Sequence, residues 1–168
     1  LERHHQVQAA VQSGRPVYYL DFEKAGEKPC ILYLHGGAFL TGVSEKHWRF
    51  ARRLLFGTGC PMVIPDYPLI PEHTHKRILS FCMELYLDLA AKCPHGIILA
   101  GDGAGANLAL SAARQAVRKG APLPGQLLLL SPYLDLSGNN PIRNVLAHRD
   151  PVLEPSGCRE AALLYAGS

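Results

Sequence analysis

Gly96-Ile97-Ile98-Leu99-Ala100-Gly101-Asp102-Gly103-Ala104-Gly105 joins a short apolar run to an Ala/Leu-rich helical stretch through a tight, glycine-rich turn. Strand, sharp turn and helix in that order form the layout of a nucleophile elbow, Gly-x-Ser-x-Gly. The central residue of an elbow is strained, and its neighbours stay small so that strand and helix can approach closely. Gly101 and Gly105 meet the second need, and Gly103 stands where the attacking serine would be. Glycine takes positive φ without steric cost, so this residue relieves the strain and removes the nucleophile together. Read alone, the stretch also admits a second meaning, an anion-binding turn at a helix N-terminus. Its spacing is not Gly-x-Gly-x-x-Gly, and no Gly-Lys-Ser/Thr follows.

Outward from this turn the chain alternates between strand and helix. Val17–Phe22 is rich in β-formers, and Cys30–Leu34, Met62–Ile64, Ile97–Ala100 and Gln126–Leu130 are short, nearly continuous apolar runs. Between them lie helical stretches. One starts at the N-capping Ser44 and runs to about Leu55. Another starts at Thr74 with Ile78, Cys82, Leu85 and Leu89 at helical spacing, and is stopped by Pro94 and Gly96. The elbow helix covers Ala104 to about Lys119, and a last one about Ser156 to Ala166. Continuous apolar strands alternating with helices predict an α/β fold, a mostly parallel sheet covered by helices on both faces. With 168 residues and no linker or repeat, residues 1–168 are expected to form a single domain.

His35-Gly36-Gly37-Ala38-Phe39 follows the strand that ends at Leu34. Adjacent glycines at the C-terminal end of a parallel strand free their N–H groups to face a cleft, which is what an oxyanion hole needs. The N–H after the nucleophile position, here Ala104, is the third donor in hydrolases of this layout. A flexible turn is the bland alternative. The two motifs reinforce each other because a parallel sheet brings both to the same end.

Composition narrows the rest. Apolar residues make up 48% of the chain, which argues for a folded domain. A net charge of +3 is too mild and dispersed for nucleic acid, and Arg49, Arg52 and Arg53 read as a solvated helix face. No apolar stretch reaches membrane-spanning length, and no signal peptide is visible. Cys30, Cys60, Cys82, Cys93 and Cys158 show no C-x-x-C spacing, so a reducing, cytoplasmic setting is expected. His73-x-His75 lacks a second ligand pair, and no metal or other cofactor is expected.

Four segments together resemble the hormone-sensitive-lipase-like esterases, a branch of the α/β-hydrolase family. They are His35-Gly36-Gly37-Ala38-Phe39, Asp66-Tyr67-Pro68-Leu69-Ile70-Pro71-Glu72-His73, Gly101-Asp102-Gly103-Ala104-Gly105 and Ser131-Pro132-Tyr133-Leu134-Asp135-Leu136. They stand in the family's order from about residue 17 to the end. The resemblance implies a three-layer α/β-hydrolase fold and hydrolysis of small carboxylic esters by a Ser/Asp/His triad without a cofactor. It assigns Gly103 the nucleophile position, Gly36, Gly37 and Ala104 the oxyanion hole, and His35, Asp102, Gly101 and Gly105 the motif around them.

Two departures shape the expectation. The nucleophile is Gly103, and the chain ends at Ser168, where the family continues to strands bearing the triad acid and base. Asp135 and Asp150 sit in segments the family does not use for its acid, and His148 lies in one it does not use for its base. Ser111 lies inside a helix and Ser131 at a strand end, neither at an elbow. The chain starts at Leu1 rather than methionine, as a processed product or fragment would. The expectation is therefore a chain that does not turn over esters. A catalytically dead binding or interaction module is the alternative. In the family's sheet order the Gln126–Leu130 strand is internal. Here it is expected to be an apolar edge covered by a second copy or a complementary fragment. Phe39, Leu40 and Trp48 line a pocket or belong to the core, and residues 1–16 are too short for the family's two-helix cap.

Overall fold

Val63, Leu32 and Leu99 lie side by side in register across three adjacent parallel strands, and all three are fully buried. The computed structural model that shows this describes residues 6–146, 149–150 and 153–168. The sheet runs β1-β2-β4-β3-β5-β6. Its strands are β1 (Val7–Gln12), β2 (Arg15–Leu20), β3 (Cys30–Leu34), β4 (Met62–Pro65), β5 (Ile97–Asp102) and β6 (Gln126–Leu130). The pairs β4–β3, β3–β5 and β5–β6 are parallel, whereas β1–β2 and β2–β4 are antiparallel. The helices are α1 (Glu45–Thr58), α2 (His75–Lys92), α3 (Gly103–Lys119), α4 (Pro141–Leu146) and α5 (Pro155–Ala166).

Side chains alternate across a strand, and the alternation divides the core. Cys30, Leu32 and Leu34 of β3 face one side, with Val63, Ile97 and Leu99. There they pack on α2 (Ile78, Leu85, Leu89), α3 (Leu108, Ala109, Ala112) and α5 (Ala161, Tyr165). Ile31 and Tyr33 face the other side, with Met62, Ile64 and Ala100, and meet Ala51 and Leu55 of α1. This is a three-layer α/β sandwich with a mostly parallel sheet. The alanines of α3 explain how it lies so close to the strands, since every buried position after Gly105 except Leu108 is Ala.

The strands at the N-terminal edge differ from expectation. β1 gives no strand signal because Val7-Gln-Ala-Ala-Val-Gln has little apolar contrast and stays exposed. It is held by its ladder to β2, closed by Gln6 N–H donating to Asp21 Oδ1 at 2.9 Å. β2 starts and ends earlier than Val17–Phe22, because Asp21 takes a left-handed conformation and Phe22 opens a short 3-10 turn, Phe22–Gly26.

At the opposite edge, β6 pairs among the described residues with β5 alone. Its Leu127 and Leu128 are 42% and 38% exposed. Those apolar side chains were expected on an edge strand, and they stand uncovered among the described residues.

Candidate functional site

β3 and β5 are neighbours with Leu34 paired to Gly101, so the loops leaving their C-terminal ends start side by side. Ligand sites of parallel α/β sheets form at that end. The turn after β5 is the elbow. Asp102 occupies the N-cap position of α3 in extended conformation with no side-chain capping bond, and Gly103, the first helical residue, has φ of 50°. A methyl group placed on Gly103 meets no atom within 4 Å. The flanking glycines are different. A methyl on Gly101 would stand 2.5 Å from the Gly105 carbonyl carbon, and one on Gly105 would run into the carbonyl oxygens of Leu34 and His35. These two glycines let α3 touch β3 and β5, while the space above Gly103 is open.

The loop after β3 carries three consecutive positive φ values: Gly37 at 115°, Ala38 at 55° and Phe39 at 64°. It is closed by Leu40 N–H and Thr41 N–H, both donating to Gly37 O at 2.9 and 3.1 Å. Among the described residues no acceptor meets the N–H of Gly37 or Ala38. Ala104 is the second residue of α3, so no carbonyl of its own helix reaches its N–H. Gly36 departs from the expected arrangement. Its N–H is not left free but donates to Asp102 Oδ1 at 2.9 Å. The carboxylate that follows β5 reaches across to it, and no spacing rule foretells that over 66 residues.

His35 is fully buried and stacked on Tyr67 with ring centroids 4.2 Å apart. Its Nδ1 lies 2.8 Å from Gly36 O, which accepts only if that nitrogen carries the proton. Nε2 is then the bare nitrogen. It has no hydrogen-bond partner among the described residues and stands 3.8 Å from Asp66 Oδ1. Burial drives the His35 pKa down to about 4, and nearby His47 lowers it further. The Gly36 carbonyl, Asp66 and Asp102 oppose the shift. At neutral pH His35 is therefore an uncharged buttress, and its closeness to Asp66 is not an ion pair. The Tyr67 hydroxyl donates to His35 O at 2.5 Å, and Arg15 holds Asp66 through Nη2–Oδ2 at 3.3 Å and Nε to the Asp66 carbonyl at 2.8 Å.

Asp102 gathers three elements. Besides Gly36 it accepts from the Tyr33 hydroxyl at 2.6 Å, and its Oδ2 lies 3.8 Å from His47 Nε2. Burial comes first, and the bond to Asp102 second, in pushing the Tyr33 phenol upward. Tyr33 and His47 were not singled out from the sequence. The available signal was His47 three residues after the N-cap Ser44, whose N–H donates to His47 Nδ1 at 2.9 Å. Tyr165 of α5 was also unforeseen. Its ring stacks on Phe39 at 3.9 Å, fixing Phe39 in the core rather than in a pocket wall.

Ser131 follows Leu130, which pairs with Asp102 beside the elbow, and has a positive φ of 44°; the other described candidates are engaged locally. Asp135 Oδ1 accepts from Ser137 N–H and Oγ, and Asp150 Oδ1 from Leu153 N–H, so both serve their local turns. Ser111 Oγ reaches Asn107 Oδ1 inside α3. His75 Nδ1 stands 3.2 Å from Tyr165 O. His148 lies outside the described residues.

The sequence pattern of the alpha/beta hydrolase fold matches residues 31–168. The chain is 40% identical to an esterase of Mycobacterium tuberculosis over 114 residues, 67% of this chain and 38% of that protein. It is 28% identical to the hormone-sensitive lipase of Mus musculus over 144 residues, 82% of this chain and 19% of that one. The crystal structure of a hormone-sensitive-lipase homologue from a metagenome library superimposes with a TM-score of 0.87. That match has 30% identity and covers 98% of this chain and 57% of the homologue. The chain thus spans well under two thirds of the length of these relatives.

Proposed function

Since the chain belongs to the α/β-hydrolase-fold family, within its hormone-sensitive-lipase-like esterases and lipases, we propose that its cleft above Gly103 takes a small carboxylic ester or acyl ligand without turning it over. The observation that carries this reading is Gly103 itself, which has the positive φ of an elbow and open space where a serine side chain would project. The N–H groups of Gly37 and Ala104, with that of Ala38 between them in the chain path, are the oxyanion donors. The Gly36 N–H is engaged by Asp102 and supports the loop instead. His35, Asp102, Gly101 and Gly105 shape the frame. No cofactor enters the reading.

Losing the nucleophile of a catalytic triad costs on the order of 10⁶ in turnover. An oxyanion hole with binding alone retains about 10³–10⁴ over water. A chain with glycine at the elbow is therefore a binding module in practice. Equilibrium titration with a short-chain methyl ester and with the matching carboxylate tests it. Saturable binding without product is expected; steady turnover at a rate of ordinary esterases refutes it.

The uncovered β6 edge favours one addition, that another polypeptide covers it, either a second copy or a complementary fragment. Light scattering that shows only monomer counts against this. Residues 1–168 are read as one domain, for which a single cooperative unfolding transition is expected. Among the described residues no helix is long and apolar enough to cross a membrane. The five cysteines are free, which supports a cytoplasmic setting.

A further inference from the structure

The run Gly37–Ala38–Phe39 is strained, since Ala and Phe rarely adopt positive φ. Such a run persists only where its surroundings over-determine it. On its C-terminal side the restraints are plain. Phe39 O accepts the Ile70 N–H at 3.0 Å, and the Phe39 ring is stacked on Tyr165. On its N-terminal side the peptide N–H just before the strained run belongs to Gly36, and its partner is the Asp102 carboxylate.

That carboxylate is itself fixed from several directions. The Tyr33 hydroxyl donates to the same Oδ1 from β3. His47 of α1 faces Oδ2, and because its Nδ1 accepts the Ser44 N–H, the proton of the neutral ring sits on Nε2, toward Asp102. A methyl group on Gly36 would collide with Oδ2, so the loop lies directly against the carboxylate. Asp102 is also the residue immediately before Gly103 and the N-cap of α3. One side chain thus joins β3, α1, the strained loop and the elbow.

From this juxtaposition we infer that Asp102 is a positioning residue: by holding the Gly36 N–H it fixes the direction of the Gly37 and Ala38 N–H groups relative to Gly103. The inference rests on the oxyanion-hole reading of that loop. Tyr33 and His47 act through Asp102, keeping its two oxygens from rotating away from Gly36.

The test is amide exchange and relaxation on the whole ¹⁵N-labelled chain, comparing the parent with Asp102→Asn and Asp102→Ala. A bond to a charged acceptor is stronger than one to a neutral acceptor. The Gly36 amide proton is therefore expected downfield in the parent, upfield of that position in Asp102→Asn, and at least ~10-fold faster to exchange in Asp102→Ala. The Gly37 and Ala38 signals are expected to broaden in Asp102→Ala and to recover in Asp102→Asn. The Cys30 amide, bound to Gly96 O, serves as the control for the fold and stays unchanged. If Asp102→Ala does not fold, the Gly36 shift in Asp102→Asn decides alone. A Gly36 amide indifferent to either substitution, or Gly37 and Ala38 signals unmoved in a folded Asp102→Ala chain, overturns the inference where the Cys30 amide stays protected. Because no ligand is added, a chain that binds no ester yet shows the Gly36, Gly37 and Ala38 responses keeps the positioning role and sinks only the ligand reading.

Discussion

Lowering the pH from 7.5 to 5 should destabilise this fold chiefly through one side chain, His35. In the folded chain its pKa is held near 4 by burial, against 6.5 for a free histidine. Between those values the unfolded chain binds a proton that the folded chain refuses, so stability rises with pH across the window and is complete above about 6.5. The gap corresponds to about 3 kcal/mol when fully expressed, and to roughly 2 kcal/mol at pH 5. Urea titrations at both pH values measure it, with the single Trp48, packed edge-on against Tyr18, as the fluorescent reporter. His35→Gln is the control. It loses the stack on Tyr67 and so is less stable at pH 7.5, but it removes the titrating ring. The loss between pH 7.5 and 5 should shrink by about 2 kcal/mol relative to the parent. Equal losses in the two chains would refute the assignment of His35 as a neutral, buried buttress.

Two further outcomes follow from the same packing. Gly105→Ala drives a methyl into the β3 carbonyls and should cost about 3 kcal/mol, whereas Gly103→Ala enters open space and pays only for positive φ, about 1 kcal/mol; parallel denaturation curves separate them. Burial pushes the Cys82 thiol up to about 12 and raises those of Cys30 and Cys93, while Cys60 and Cys158 are half-buried. A maleimide should therefore label only Cys60 and Cys158 in the folded chain and all five after unfolding, as read by intact mass.

How much of this was legible in the sequence depends on range. β3, β4 and β5 announced themselves because a strand buried on both faces needs an unbroken apolar run, and Cys30–Leu34 and Ile97–Ala100 supply it. The elbow was legible because Gly101 and Gly105 obey a local steric rule. β1 was silent because its stability comes from hydrogen bonds to β2 rather than from apolar burial. The engagement of Gly36 by Asp102 was silent for a different reason. Both residues belong to recognisable motifs, but which N–H turns to the cleft depends on where a carboxylate 66 residues away comes to rest. The Phe39–Tyr165 stack likewise joins residues with no shared pattern.

The elbow keeps its shape, with a positive φ at its central residue, and carries glycine in place of the nucleophile. Rapid mixing with an activated short-chain ester, followed by intact mass and peptide mapping, tests this most directly. No burst of released alcohol is expected, and no acyl group on the peptide containing Asp102, Gly103 and Ala104. A burst stoichiometric with protein, with the acyl group on any residue lining that cleft, would contradict it.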